Sequence, residues 1–385
     1  MVLEKWSFSD KTLETKIIPF HIPLVTGSEL NHVSKAIKNK NLAAEGYFSS
    51  KCASFLEEFT ACKKAIMTTS CTDALEMAAI LADIRQGDEV IMASFNFVSA
   101  ANAFVLRGAK ICFIDVEPLH MNMDASRIEA AITPKTKVIV AMHYGGVACD
   151  MDRIMKIAKK YNLLVIEDAA HCIGSYFKGQ HLGSIGHLGT LSFHETKNIQ
   201  CGEGGALLIN DEKYIHRAQI LRDKGTDRSD FKKGVVKKYT WVDVGSSFGL
   251  GELHAAFLYG QFSLIKDVNE YRIKLWKLYY SLFSEHPAIN ISNECGNGHI
   301  FYVKFNTEEK REKMVKHLLS CNISSVSHYE PLHQSIAGKM YGYFSGEDSF
   351  TTIGSKTILR LPLHNELIVN DVLYVFQCLM KEYEM

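Results

Sequence analysis

Lys197 stands where a primary amine can do covalent chemistry. It closes the stretch Leu191-Ser-Phe-His-Glu-Thr-Lys-Asn198, a short apolar strand that ends in polar residues. Gly202-Glu-Gly-Gly205 and a second apolar run, Ala206-Leu-Leu-Ile209, follow at once. An arbitrary lysine is usually a solvated one, since lysine is seldom buried. Here Ser192, His194, Glu195, Thr196 and Asn198 set hydroxyl, imidazole and carboxylate groups beside the amine, and the glycines let backbone approach a ligand closely. An amine held between two buried strands in this company is suited to a Schiff base with a carbonyl compound.

Three further groups are placed to serve such an amine. Ser70-Cys71-Thr72 opens the helical run Asp73-Ala-Leu-Glu-Met-Ala-Ala-Ile80. It reads either as an ordinary N-cap or as an anion cradle built from free N–H groups, the helix dipole and two hydroxyls. Ser94-Phe-Asn-Phe97 leaves a strand with two aromatics, and Phe97 is either core or a lid over a planar ring. Glu167-Asp-Ala-Ala-His171 ends a strand in two carboxylates, with small residues that leave room beside Asp168. A strand-end carboxylate is commonly a turn acceptor. Against a pyridine nitrogen, Asp168 would instead hold the ring protonated, which makes it an electron sink. His171 would then reach the ring's phenolic oxygen or a nearby water, although a lone histidine is more often structural. Taken together, a phosphate-type helix start, a stacking aromatic, a strand-end aspartate and a lysine on the next hairpin are the parts needed to bind pyridoxal 5′-phosphate.

These residues need a scaffold, and the periodicity supplies one. The runs 87–92, 109–115, 137–142 and 163–168 are short, apolar and β-branched, as strands are, and they alternate with helical patterns over 71–84, 99–107, 126–131 and 151–161. Such alternation predicts an α/β fold, a mostly parallel sheet covered on both faces, with ligands bound beyond the carboxyl ends of its strands. The expected division is an extension over 1–17, a large domain over 18–265 and a smaller C-terminal α+β domain over 266–385, the last marked by a helix over 269–284, strands at 300–305 and 357–362, and a helix over 308–320. No GxGxxG follows the first strand, which argues against a dinucleotide fold.

Composition narrows the function classes. Forty-three basic residues balance 43 acidic ones, so no net charge draws the chain of 385 residues to nucleic acid or to a membrane surface. No apolar run approaches the ~20 residues of a membrane span, and the N-terminus lacks the apolar core of a signal peptide. The ten cysteines form no CxxC pair and read as reduced thiols, with no metal site, in a cytoplasmic protein.

With these residues in place, the chain resembles the fold-type I, pyridoxal-phosphate-dependent aminotransferases of the DegT/DnrJ type, which act on nucleotide-linked keto sugars. The resemblance runs from about Ile18 to the C-terminus and rests on Thr69-Ser-Cys-Thr72, Glu167-Asp-Ala-Ala-His171, Ser192-Phe-His-Glu-Thr-Lys-Asn198, Gly202-Glu-Gly-Gly205 and His328-Tyr-Glu-Pro-Leu-His333. The segments Ala101-Asn-Ala-Phe-Val-Leu-Arg-Gly108, Arg222-Asp-Lys-Gly-Thr-Asp-Arg-Ser229 and Tyr239-Thr-Trp-Val-Asp-Val-Gly-Ser-Ser247 look most like the dTDP-4-amino-4,6-dideoxygalactose transaminases of surface-polysaccharide synthesis, such as that of O-antigen or enterobacterial common antigen. The resemblance implies that Lys197 carries the cofactor, Asp168 holds its ring nitrogen and Phe97 stacks on the ring. Cys71, Thr72 and Ser192 would bind its phosphate. Ser247 would reach that phosphate from the neighbouring subunit of a homodimer whose active sites lie at the interface; some relatives carry Asn there. Ala93 and Asn96 stand where relatives often have Pro and Thr. Lys224, Arg228, His328 and His333 are candidates for the sugar or its pyrophosphate.

The implied reaction takes the amino group of L-glutamate and adds it to the C4 ketone of dTDP-4-dehydro-6-deoxy-D-glucose, giving the galacto amine, with the gluco epimer left open. Lys197, kept neutral by desolvation and nearby positive charge, would carry the proton. Sugar dehydratases on this scaffold replace the lysine with histidine, so Lys197 argues against them. A non-catalytic ligand-binding protein of the same fold would not need the intact Lys, Asp and phosphate set.

Overall fold

The computed structural model describes residues 16–286 and 289–383. The expected extension over 1–17 lies outside the described residues except for its last two. Strands in the first half are β1 (Lys64–Thr68), β2 (Glu89–Ala93), β3 (Lys110–Ile114), β4 (Thr136–Met142) and β5 (Leu164–Asp168). They are followed by a small hairpin, β6 (Tyr176–Phe177) and β7 (Gln180–His181), then β8 (Leu188–Ser192) and β9 (Gly205–Ile209). The C-terminal part adds β10 (Asn290–Ile291), β11 (Phe301–Lys304), β12 (Gly342–Phe344) and β13 (Ile358–Leu361).

Eight strands form one sheet in the order β1-β9-β8-β5-β4-β2-β3-β12. From β12 to β8 the strands run parallel, and β9 lies antiparallel to both β8 and β1. Helices cover both faces, so the strands are apolar along their whole length: Val90, Ile91 and Met92, like Ile139 and Val140, have no solvent contact. The helix Met151–Tyr161 shows the complementary pattern. It buries Met151, Ile154, Ile157 and Ala158 at helical spacing, leaves Lys159 and Lys160 in water, and starts at Asp150, whose carboxylate accepts from the Arg153 N–H at 3.1 Å. The parallel strands all end on one edge, which brings the segments after β2, β4, β5 and β8 together.

The antiparallel sheet β10-β11-β13 packs with the helices Ile265–Phe283, Glu308–Ser320 and Val369–Tyr383 around a second core. Tyr279 stacks on Phe301 at 4.9 Å between ring centroids within it.

Several elements had no counterpart in the sequence reading, and three of them shape the sheet and its covering. Strand β12, from the C-terminal third, pairs with β3 and extends the large sheet. It fits because Gly342 lies on Phe113, where a Cβ would come within 2.6 Å of the ring, and because Asp115 at the end of β3 accepts the N–H groups of Ser349 at 2.9 Å and Thr351 at 2.8 Å. The helices Tyr47–Thr60 and Glu252–Phe262 also went unread. The second is buried on most sides and so lacks an amphipathic stripe. Its Glu252 caps the first helix by accepting from Phe48 and Ser49 N–H at 2.7 and 2.8 Å.

Candidate active site

A cleft of about 320 Å³ opens at the carboxyl edge of the large sheet, within the size range of a small-molecule site. Its walls include Cys71, Thr72, Phe97, Asp168, His171, Ser192, Lys197 and His328. Residues from Phe20 to Leu363, nearly the whole length of the chain, thus meet around one space.

Each position follows from its element. Successive strand residues point to opposite faces, so the two carboxylates that end β5 part company. Glu167 turns inward and is fully buried, accepting N–H groups from Gly183 at 2.8 Å, Ile185 at 2.7 Å and Gly186 at 2.6 Å, and facing His143 Nε2 at 3.0 Å. Asp168 faces the cleft, where one oxygen accepts the Ala170 N–H at 3.1 Å. Burial pushes its pKa up, and the Ala170 N–H and the nearby Lys197 act against that.

Lys197 sits in the loop between β8 and β9, in a turn closed by its own N–H to His194 O at 2.9 Å. It keeps some solvent access, but protein surrounds the amine. Burial lowers its pKa from 10.5 to about 8; Cys71 and Asp168 work in the opposite direction, and Arg360 adds to the lowering. At neutral pH a usable fraction of the amine is therefore a free base. The Cys71 thiol, pushed up to about 12 by burial and by Asp168, stays neutral.

The helix Cys71–Leu81 points its N-terminus into the cleft. Ser70 Oγ accepts from Asp73 N–H at 3.0 Å, and Ser70 O accepts from Ala74 N–H at 3.2 Å. The N–H groups of Cys71 and Thr72 precede the first intrahelical bond and stay free for an anion. Thr72 Oγ1 lies 2.8 Å from Ser99 Oγ. Gly205 in β9 backs this cradle so closely that a Cβ there would stand 2.4 Å from Cys71 N. Phe97, at the end of the Ser94–Phe97 segment, is 52% exposed even though it lines the cleft. Such an uncovered ring is a stacking surface awaiting a flat partner.

Asn96 turns its Oδ1 to Phe97 N–H at 2.8 Å and leaves its Nδ2 buried and unpartnered on the same wall. These features fit pyridoxal phosphate: an anion cradle, an uncovered ring, a buried carboxylate and a deprotonatable amine share one enclosed space.

His171 has both ring nitrogens engaged. Nδ1 accepts from Gly145 N–H at 3.2 Å, and Nε2 lies 3.4 Å from Tyr329 Oη. Burial, then the Lys197 and Arg360 charges, holds it well below the usual histidine pKa, so it is neutral.

The other sequence candidates lie elsewhere. His333 binds Ser94 through Nδ1 at 2.7 Å and faces Asp348 at 3.2 Å, tying the β12 segment to the end of β2 outside the cleft. Arg228, at the start of the helix Arg228–Lys232, and Lys224 and Ser247 on the loops beside it are exposed, away from the cleft lining. Ser247 is joined there to Asp223 by a backbone bridge.

The sequence reading missed Arg360, Tyr329 and His299, all on the cleft wall. Arg360 carried a signal, being a charged residue in the middle of the apolar strand 357–362. Tyr329 stood beside His328 in the motif 328–333 but was not singled out, and His299 carried no signal, since only the fold brings its loop to the cleft.

Comparison with known proteins agrees with this geometry. Residues 24–380 match the DegT/DnrJ/EryC1/StrS aminotransferase family. The chain is 30% identical to the spore coat polysaccharide biosynthesis protein SpsC of Bacillus subtilis, covering 92% of this chain and 94% of that one. It is also 30% identical to the GDP-perosamine synthase of Caulobacter vibrioides, over 81% and 84% of the two chains. Among solved structures, a putative sugar aminotransferase from Streptococcus pneumoniae, described in its PMP-form, superposes with a TM-score of 0.86 at 25% identity, over 96% of this chain and 98% of that one. The chain belongs to the DegT/DnrJ/EryC1/StrS aminotransferase family, pyridoxal-phosphate-dependent transaminases of fold type I.

Proposed function

We propose that this enzyme moves the amino group of L-glutamate to the C4 ketone of dTDP-4-dehydro-6-deoxy-D-glucose, giving dTDP-4-amino-4,6-dideoxy-D-galactose for a surface polysaccharide. The observation that carries the reading is Lys197, an amine with a pKa near 8 in a cleft shared with the buried Asp168 and an open helix N-terminus. The segments 101–108, 222–229 and 239–247, which resemble the C4 enzymes, support the choice of sugar. The relative named for GDP-perosamine keeps a GDP-linked substrate as the comparison to run.

Pyridoxal phosphate, when bound, supplies a carbonyl for the amino group and a ring that draws electrons from the donor's α-carbon. The protein's own groups do the rest. Cys71, Thr72 and Ser192 would hold the phosphate at the helix start. Phe97 would cover one face of the ring. Asp168 would keep a proton on the ring nitrogen, and His171, neutral and engaged with Gly145 and Tyr329, would stand beside the ring without adding charge. Lys197 Nζ would hold the cofactor and, as a neutral amine, would be the group placed to move the proton of the donor's α-carbon. A neutral Nζ is required, and burial provides it. Ser247 would complete the phosphate site of the other subunit in a homodimer, which accounts for its exposure here. Lys224, Arg228 and His328 are proposed for the sugar nucleotide. We place the protein in the cytoplasm, and read it as a large cofactor unit over 18–265 and a smaller one over 266–385, with β12 returned to the larger sheet.

The test is optical. The visible absorbance of the cofactor-loaded protein is expected to fall on adding L-glutamate and to return on adding the dTDP keto sugar. A fall with no return on any 4-keto sugar nucleotide would sink the sugar assignment.

A further inference from the structure

Asn198 follows Lys197 in the chain and is buried, so the polar atoms of its amide need partners. Its Nδ2 donates to two carbonyl oxygens, Asn269 Oδ1 at 2.9 Å and Asn297 O at 3.1 Å. Asn269 accepts there because its own Nδ2 donates to Ile173 O at 2.9 Å. The orientation of the Asn198 amide is thereby fixed, and its Oδ1 faces His299 Nδ1 at 2.8 Å. An amide oxygen offers no proton, so the one in that bond belongs to Nδ1.

The state of the His299 ring follows. Burial, and after it the neighbouring His171, Lys197, Arg272 and Arg360, hold its pKa well below the usual histidine value, so the ring is neutral and carries that one proton. Nε2 is then a bare lone pair. It makes no hydrogen bond to the described residues, and the residue lines the cleft. His171, packed against it at 4.6 Å between ring centroids, has both of its nitrogens engaged. His299 is also held by its backbone, where Arg272 Nη2 donates to His299 O at 3.0 Å.

A fixed lone pair selects its partner. It accepts from O–H or N–H groups and offers nothing to a carboxylate or a diphosphate, which are themselves acceptors. The amino group of glutamate is committed to the cofactor carbonyl, which leaves the hydroxyls of the sugar. Lys197 acts electrostatically on His299, so the ring stands near the amine beside which the ketone carbon must react. Of the two carbons that flank C4 in a 4-keto-6-deoxy sugar, C3 carries a hydroxyl and C5 a methyl group. We propose that His299 Nε2 accepts the C3 hydroxyl of the keto sugar, with Asn198 as the positioning residue that holds the ring in its accepting tautomer. This rests on the 4-keto sugar reading above and adds a determinant of substrate choice to it.

The test sets one hydroxyl against one nitrogen. Wild-type, His299→Phe and His299→Gln proteins are loaded with cofactor. Stopped-flow absorbance follows the reaction with L-glutamate, then the return with dTDP-4-dehydro-6-deoxy-D-glucose or with its 3-deoxy analogue. The wild type should prefer the 3-hydroxy sugar about 10- to 100-fold in kcat/KM, the scale of leaving a buried acceptor unpaired. The Phe variant should lose that preference to within about threefold and keep its glutamate half-reaction. The Gln variant, whose amide oxygen can take the place of Nε2, should recover part of the preference. A second readout needs no turnover. In protein labelled with ¹⁵N-histidine, a ring signal typical of an unprotonated Nε2 should be missing from the Phe variant, and in the wild type it should move with the 3-hydroxy sugar and stay with the 3-deoxy one.

The preference is a ratio within one sample, so poor folding does not mimic its loss. A Phe variant that keeps the preference, or one whose loss falls on glutamate, overturns the proposal and leaves the transaminase reading standing. Equal losses with both sugars would make His299 a packing residue, and a proton found on Nε2 would make it a donor; each overturns the proposal as well. If the wild type reacts with glutamate but passes nitrogen to neither sugar, the sugar reading fails and this proposal with it.

Discussion

Raising the pH through the Lys197 titration perturbs the step on which the whole account depends. In water a lysine amine with a pKa of 10.5 is about 0.03% neutral at pH 7. At the value near 8 that the cleft imposes, about 10% is neutral, roughly 300 times more nucleophile for the same residue. Burial is the larger cause, and Arg360 pushes the same way, while Cys71 and Asp168 hold the value up. The assay is the rate at which cofactor-free protein captures pyridoxal phosphate into a borohydride-reducible linkage, measured from pH 6 to 10. The rate should rise about tenfold between pH 6 and 7 and level off above about 8.5, as the free base saturates. A rise that continues undiminished to pH 10, or no pH dependence, would refute the claim that the cleft depresses this amine. Lys197→Arg, which keeps the charge but cannot form the linkage, should capture nothing at any pH.

Other consequences can be checked separately. Asp168→Asn cannot hold a ring proton, so amino transfer should slow about 100-fold or more in single-turnover kinetics; a loss under threefold would remove Asp168 from the mechanism. The same variant loses a charge that raises the Lys197 pKa, so its capture profile should shift to lower pH. Glu167→Gln would leave three backbone donors and His143 without their carboxylate, at a cost of about 3–5 kcal/mol in urea unfolding; a cost under about 1 kcal/mol would show that the pair is not structural. Burial alone would raise the Glu167 pKa, but His143 and the Gly186 and Gly183 N–H groups overcome it and hold it below 4.5. Its contribution is therefore complete above that value and is lost as the pH falls through the lowered one. Gly205→Ala forces a methyl group against Ser70 and Cys71 backbone atoms. It should weaken cofactor affinity at the helix start more than it lowers global stability, about 1–3 kcal/mol; equilibrium dialysis against a melting curve separates the two effects.

Much of the catalytic edge was legible because its pieces are local. The strands over 87–92, 109–115, 137–142 and 163–168 appear within two residues of those bounds, as β2, β3, β4 and β5. The lysine falls in the expected loop between β8 and β9. The helix read at 269–284 runs from Ile265 to Phe283, its start obscured because it leaves the preceding helix after a two-residue turn. What escaped depends on long-range contact. A three-residue strand such as β12 has too few residues to show a period, and it exists because Gly342 and Asp115 receive it. The helix Glu252–Phe262 is buried nearly all round and presents no polar stripe. His333, read with His328 from one motif, turns away to Ser94, and six residues of sequence cannot say which of two histidines faces the cleft. Arg360 is a charge inside an apolar strand, a signal that was passed over, and only the fold shows that it faces the cleft.

The central claim is best tested by following the nitrogen. The protein, with pyridoxal phosphate, is incubated with ¹⁵N-labelled L-glutamate and dTDP-4-dehydro-6-deoxy-D-glucose, and the sugar product is read by NMR. The account predicts ¹⁵N bonded to C4, with couplings that place the amine axial, as in the galacto sugar. An equatorial amine would keep the transaminase and correct the epimer. A sugar that carries no label, while glutamate still alters the cofactor absorbance, would contradict the claim that this cleft aminates a 4-keto sugar.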